Sequence, residues 1–530
     1  MRRPKPPDLS KQIKRSFRAG SAVRRLAPVA VALLLFVPLA AAAGLPSSPA
    51  NSQIEWRDAV LYFVLIDRFA DGDPSNDIAV DPRSKGAFHG GDLKGLIEHL
   101  DEIADLGVTA IWINPIVKNI DGFVTGAGFP DWAYHGYWAD DFLKMDRRFG
   151  KEAQLKSLVE ACHRRGIRVL LDVVYNHAGY GSHYLTDPET KGWFRTEAAG
   201  TCGQDDLTSC VAGLPDFKTE LPDVADFLMK AQIGWAKRSG VDGFRLDTVK
   251  HVDHTFWKEL RRRTREELPK GFFLLGEVWG GDAGVLDPWF EGDELDAGFD
   301  FSFEGSVVGW LLGRGRTVAF DRYLQSRGKV RPGHSVAHFL SSHDVTGALK
   351  LLNGDVSLFR LAALLQLTTS GIPTIYYGEE VARPGGDWPD NRSDMPWGDR
   401  KILPGAGAPR DEALRADYKK LIAIRRAHAA LSRGAHTPVA TDGDLYAFLR
   451  RDADSKDAVV VALNRGKVTA TLKMTVPEEW GGDHPEDAWN GGAVARSGDT
   501  IEATVPPLSA RVLTRAREKA GSAKTRQRRN

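Results

Sequence analysis

The stretch "VADFLMKAQIGWAKRSGVDGFRLD" (Val224–Asp247) decides the fold. Its first part has helical apolar spacing and stops at Gly240, the residue type that ends helices in a left-handed turn. A short apolar run, "GFRLD" (243–247), follows and closes on an acid. In a strand, residues two apart point to one face, so Arg245 and Asp247 share a face. The cation favours the ionised form of the acid. One such unit is equally compatible with a surface ion pair at a strand end, which is common and worth little. The rest of the chain decides between them.

The same unit recurs. Apolar, β-rich runs at 59–69, 109–116, 168–177, 243–247, 272–279, 297–303, 338–344 and 374–380 alternate with amphipathic helices such as "EAQLKSLVEACHRRG" and "HTFWKELRRRTREEL". Eight strands in alternation with helices predict an α/β chain built as a (β/α)8 TIM barrel. A doubly wound open sheet would require a Gly-rich phosphate loop after its first strand, and "DRFADGD" is not one. Two segments break the alternation. Residues 178–222 are polar and Gly-rich and read as an excursion after strand three. From 432 the pattern becomes hairpins, "GDLYAFLRR", "DAVVVALNRG" and "SARVLTR", which predict a C-terminal antiparallel β domain to residue 515. The barrel is thus expected in 46–177 and 223–431.

Composition is that of a globular protein, 42% hydrophobic and 27% charged. The formal net charge of +1 conceals basic ends and an acidic body. Residues 1–25 carry nine Lys or Arg against one Asp, and 515–530 carry seven against one Glu. An acidic body excludes a nucleic-acid surface as the working face and suits a neutral substrate or a bound cation. The basic start leads into an uncharged run, Leu26–Ala43, ending in small residues. Residues 1–45 therefore read as a signal peptide, with an uncleaved membrane anchor as the alternative, and the protein is expected to be exported to the periplasm or the medium. The tail 516–530 has no apolar periodicity and reads as disordered. Cys202 and Cys210, in the polar loop "TCGQDDLTSC", read as a disulfide in an exported protein. Cys162, on a helical pattern, reads as a buried small hydrophobe.

In such a barrel the C-terminal strand ends line the active site. Here they carry Asp172, Asn176 and His177; Arg245 and Asp247; Glu277; His343 and Asp344. Convergence of so many charges would cost several kcal/mol of desolvation unless function required it. Carboxylates on neighbouring strands suit glycosidic bond cleavage, with one ionised nucleophile and one protonated acid. Arg245 favours ionised Asp247, while Leu274, Leu275, Val278 and Trp279 give Glu277 an apolar setting that favours its neutral form.

These residues carry a resemblance. "DVVYNH" (172–177), "GFRLD" (243–247), "GEVW" (276–279) and "SSHD" (341–344) match, in order, the four short motifs of the α-amylase superfamily, glycoside hydrolase family 13. "LPDF" (214–217) resembles the fifth motif, and "YHGYW" (134–138) is similar to the family's strand-two loop. The resemblance spans about residues 57–515. It implies a retaining mechanism on α-glucosidic bonds: Asp247 the nucleophile, Glu277 the general acid/base, Asp344 the transition-state stabiliser. It further implies that Arg245 orients Asp247, that His177 and His343 hydrogen-bond the sugar, that Tyr137 stacks on it, that His135 lines the same loop, and that Lys250 and His251 touch the aglycone side. Asp172 is expected to be a structural acid.

"DGDPSND" (71–77) gathers oxygen ligands that suit Ca2+, although a solvated turn has the same composition and the loop is not an EF-hand. The resemblance, through the glucanotransferase branch, implies a Ca2+ held by Asp71, Asp73, Asn76, Asp77, Gly90 and Asp92. A second Ca2+ is implied at Asn176, Asp216 and the carbonyl of His251. Among family members, the absence of space for an N-terminal β domain and of a starch-binding module favours a monomeric endo-acting α-amylase on starch and maltodextrins. A cyclomaltodextrinase or neopullulanase type, a maltodextrin glucosidase, a transglycosylase and, from a different class, an inactive carbohydrate-binding relative stand as alternatives. "WPDNR" (388–392) places Trp388 where the glucanotransferase pattern has an acid, which removes the basis for assigning donor-side contacts to Asp387 and Arg392.

Overall fold

The structure, a computed structural model, describes residues 54–125 and 128–516. The leader expected in 1–45 and all but the first residue of the expected tail 516–530 lie outside the described residues. Among the described residues no helix is long and apolar enough to cross a membrane.

Eight parallel strands close into a barrel in chain order: β1 Leu61–Val64, β2 Ala110–Ile113, β3 Arg168–Val173, β4 Gly243–Leu246, β5 Phe273–Gly276, β6 Ala297–Asp300, β7 Ser335–Phe339 and β8 Ile372–Tyr376, which pairs back onto β1. Each strand falls within or overlaps one of the eight apolar runs. The strands are buried on both faces, as a parallel sheet wrapped by helices requires. Each is shorter than its apolar run, because pairing stops where the chain turns outward. Asp247 and Glu277 therefore stand one residue past β4 and β5. Gly276 is fixed by crowding: a Cβ there would lie 2.5 Å from a methyl of Leu295. The helix Pro222–Ser239 ends at Gly240, which takes φ +79° and a hydrogen bond back to the Ala236 carbonyl.

Two excursions rise from the C-terminal face. The expected one, after β3, contains a short antiparallel pair, Phe194–Arg195 with Asp216–Phe217, and the Cys202–Cys210 disulfide. Cys162 is free and buried. A second follows β2: Val117–Asn119 pairs with Ala139–Met145, and Phe123–Val124 with Asp131–Trp132. This loop carries His135 and Tyr137. The C-terminal part forms a five-stranded antiparallel sheet and a three-stranded one. Alternation along Leu445–Asp452 places Tyr446 and Phe448 in the barrel's core cluster, and Ala447 and Leu449 in a second cluster shared with the small sheet.

Candidate active site

Arg245 organises the site. Its side chain is 2% exposed, and three carboxyls surround it. Nη1 donates to Asp247 Oδ1 at 2.7 Å and to both oxygens of Asp172 at 3.1 Å; Nη2 lies 3.1 Å from Glu277 Oε1. The register explains this. Arg245 pairs with Asp172 on β3 and with Leu275 on β5, so one inward-pointing guanidinium reaches acids from both neighbouring strands. Three ionised carboxyls would leave two uncompensated negative charges in a buried space, so protons are retained there. Burial raises Glu277 above the usual carboxylate range, and the charges of Asp247 and Asp344 add to this against the pull of Arg245. Burial likewise lifts Asp172 to about 7. The expected neutral Glu277 is thus supported, but the neighbours differ from those read in the sequence. Trp279 points outward, 50% exposed and resting on Phe301, while Phe299, Phe301, Phe339 and Trp112 line the space around Glu277.

Thr248 links the two acids. Its backbone N–H donates to Glu277 Oε2 at 3.0 Å and its hydroxyl to Asp247 Oδ2 at 3.1 Å. It adopts φ +49°, rare for a β-branched residue. Asp344 sits opposite, 29% exposed at the rim. Burial works to raise its carboxyl, but His343, Arg392 and Arg245 together hold it below the ordinary range. His343 Nε2 lies 3.1 Å from Asp344 Oδ2, and burial keeps His343 neutral, its pKa near about 3. Arg392 Nη2 donates to Asp344 Oδ1 at 3.0 Å and Nε to the His343 carbonyl at 2.8 Å. Sequence reasoning left Arg392 without a role. The departure at Trp388 masked it, although the arginine of the motif is intact.

The other expected residues fall around this centre. Tyr137 stacks on His343 with ring centroids 5.3 Å apart and planes within 10°, and its hydroxyl donates to Asp172 at 2.7 Å. His135 accepts from the Tyr137 N–H at 3.1 Å and is kept neutral by burial. Burial also lowers the pKa of His177, whose Nε2 is buried without a protein partner. Asp172 receives the Trp112 indole N–H as well as Tyr137 and Arg245, which fits a structural acid behind the site. Lys250 and His251 turn to the excursion, where Lys250 Nζ lies 3.5 Å from Asp206 and His251 Nδ1 2.8 Å from the Asp206 carbonyl. A cavity of about 790 Å3 lies at the other end of the strands, beside Arg261, Phe273 and Ser335. Its indole, Trp56, is covered by Phe273 and Arg168, and strand N-termini in this fold serve stability rather than chemistry.

Among the described residues no three Asp, Glu, His or Cys side chains close on a common metal position. The first expected Ca2+ set rests mainly on four aspartates, Asp71, Asp73, Asp77 and Asp92, which do not close on one point, whereas the second has a single carboxylate, Asp216, beside amide and carbonyl oxygens. At the first, Asn76 Oδ1 is buried without a partner, and Asp77 is raised to about 6, by burial and then by Asp71 and Asp92. Asp71 accepts the Asp73 N–H and Asp73 the Ser75 N–H and hydroxyl. Asp92 caps the helix Leu93–Glu98 and also takes the Asn76 amide at 2.8 Å, while Asp77 Oδ1 lies against Gly90. At the second, one terminal atom of the Asn176 amide lies 3.1 Å from the His251 carbonyl oxygen and 3.2 Å from Asp216 Oδ1. As nitrogen it donates to both; as oxygen it completes a triangle of oxygens of the spacing a Ca2+ coordination shell uses. Arg195 holds the other Asp216 oxygen at 2.9 Å. Both sets are made of oxygen donors, the type a hard cation takes, but only the second brings three of them together.

Comparison with known proteins agrees with this geometry. The α-amylase catalytic-domain model matches residues 63–396. A cyclomaltodextrinase from a Bacillus species is 34% identical over 442 residues, covering 79% of this chain and 74% of that protein. Neopullulanase 2 of Thermoactinomyces vulgaris is 33% identical over 489 residues, covering 87% and 79%. Among solved structures, the α-amylase of Geobacillus thermoleovorans in complex with acarbose superposes with a TM-score of 0.75 at 30% identity, covering 88% of this chain and 100% of that one. An eight-stranded barrel, the Asp247–Glu277–Asp344 arrangement at its C-terminal rim and these matches agree: the chain belongs to the α-amylase family of glycoside hydrolases.

Proposed function

We propose that this protein is a retaining hydrolase of α-1,4-glucosidic bonds in cyclomaltodextrins and linear maltodextrins. The observation that carries the chemistry is the contact of Asp247 and Glu277 with one guanidinium, which brings the two carboxyls side by side, with burial favouring the neutral form of Glu277. Asp247 Oδ attacks the anomeric carbon while Glu277 gives its proton to the departing glycosidic oxygen, and a glycosyl ester forms. Glu277, now ionised, takes a proton from water; that water's oxygen attacks the same carbon, the ester breaks and Asp247 is released. Asp344 and neutral His343 hydrogen-bond hydroxyls of the cleaved ring, and Tyr137 stacks on it.

The substrate class rests on the similar cyclomaltodextrinase and neopullulanase sequences. This departs from the endo-α-amylase expected from the sequence, which rested on export and on domain content rather than on the site. The endo reading is second, favoured by the full-length superposition on the Geobacillus α-amylase. A comparison of β-cyclodextrin, its ring-opened linear counterpart and soluble starch separates the two. The proposal expects kcat/KM on the cyclodextrin and the linear oligosaccharide to exceed that on starch. Rapid loss of starch viscosity with the cyclodextrin untouched would establish endo-amylase action, and inactivity on all three would end the hydrolase reading.

We propose further that Ca2+ binds at both oxygen sets. There it would supply structural charge, tying the 71–77 loop to the helix Leu93–Glu98 and the β3 excursion to the β4 loop. Thorough chelation is expected to lower the melting temperature by roughly 5 °C or more; an unchanged melting curve would reduce both sets to hydrogen-bonded turns. Export, read from the apolar run Leu26–Ala43, belongs to the same proposal.

A further inference from the structure

Water-exposed indoles are uncommon on a soluble surface and mark places where something apolar comes to rest. Among the described residues two tryptophans stand out in this way, Trp279 at 50% and Trp388 at 40% exposure. Both are on loops that follow barrel strands at the C-terminal rim, Trp279 after β5 and Trp388 after β8. Trp279 lies two residues beyond Glu277. Trp388 is on the loop that reaches Asp344: Asn391 donates to the carbonyls of His343 and Val345, Arg392 to Asp344, and Thr346 to Asp387 at 2.6 Å. Lys85 pairs with Asp390. A loop held at so many points keeps its indole fixed relative to the catalytic groups.

The chemistry orients the two. Glu277 protonates the leaving oxygen, so its side of the cleft receives the leaving part of the substrate. Asp344, His343 and Tyr137 grip the ring that is transferred, so their side receives the rest of the donor. Trp388 is on this donor side. Its indole rests on Phe129, from the β2 excursion, with centroids 5.1 Å apart and planes 29° from parallel. Phe129 in turn leads to buried Asp131, which lies within the field of Arg392. Two loops from different strands thus bring aromatic rings together at the rim, leaving part of an indole surface uncovered. An acid at this position would hydrogen-bond a sugar edge; an indole offers instead a flat apolar face to the C–H face of a pyranose ring.

We propose that Trp388, seated on Phe129, is a donor-side subsite that stacks a glucose unit beyond the one being transferred. It sets a preference for donors of several rings. The proposal rests on the α-glucan reading above and names a binding element of the same cleft. The test compares aryl α-maltohexaosides with aryl α-glucosides carrying the same leaving group, in wild type, Trp388→Ala, Trp388→Phe and Phe129→Ala. The readout is the ratio of kcat/KM for the long donor to that for the single ring. Wild type is expected to favour the long donor. W388A should reduce the ratio about tenfold, the scale of one lost ring contact. F129A should reduce it less, and W388F should retain most of it. Because each variant is its own reference, partial misfolding leaves the ratio untouched. A W388A ratio equal to wild type overturns the subsite. A wild type inactive on both donors overturns the α-glucan reading instead.

Discussion

Asp247→Ala is expected to lose at least about 10³-fold in kcat/KM on maltodextrins while keeping its fold, because the covalent route depends on this carboxylate. Asp247 receives a 2.7 Å bond from Arg245 and a 3.1 Å bond from the Thr248 hydroxyl, so its oxygens are held in place before substrate arrives. Its removal leaves Arg245 between Asp172 and Glu277, still charge-balanced, so the melting temperature should change far less than the rate. A second consequence follows from sign. The Asp247 charge helps keep Glu277 protonated, so residual activity in the variant should lose its alkaline limb at lower pH than wild type. Near-normal turnover in Asp247→Ala would overturn the assignment of the nucleophile.

Glu277→Gln is expected to lose a similar factor, at least about 10³-fold, on unactivated glucans, because the amide cannot protonate a sugar leaving group. The loss should be much smaller on an aryl glycoside with an acidic phenol, whose departure needs no proton, and the alkaline limb assigned to Glu277 should disappear. Burial raises this carboxyl, so the wild-type enzyme should hold its activity through neutrality and decline only as Glu277 ionises at higher pH. Equal losses on activated and unactivated substrates would mean that Glu277 is not the acid.

Much of the fold was legible because its signals are local. Eight apolar runs separated by helical spacing left one reasonable topology, and every run contains or overlaps a barrel strand. The site was legible because its acids sit just past strand ends, at Asp247 after Leu246 and Glu277 after Gly276. What the sequence hid depends on contacts distant along the chain. Three of the four strands after β2 are only two or three residues long and have no periodicity of their own. Arg392 meets Asp344 across 48 positions, and Trp388 meets Phe129 only because two loops converge. The setting of Glu277 was read as the side chains beside it in sequence, although Phe299 and Phe339 on other strands build it. The preferred glucan is not written in the four motifs, and the endo action expected from the sequence drew on export and domain content instead.

The central claim is that the anomeric carbon passes through an ester on Asp247 and is therefore displaced twice. Proton NMR of the first sugar released from an α-linked maltooligosaccharide, recorded before mutarotation, tests this directly. The account predicts that the α-anomer appears first and the β-anomer grows in later at the uncatalysed rate. A β-anomer formed first would mean a single displacement by water, and no glycosyl-enzyme on Asp247.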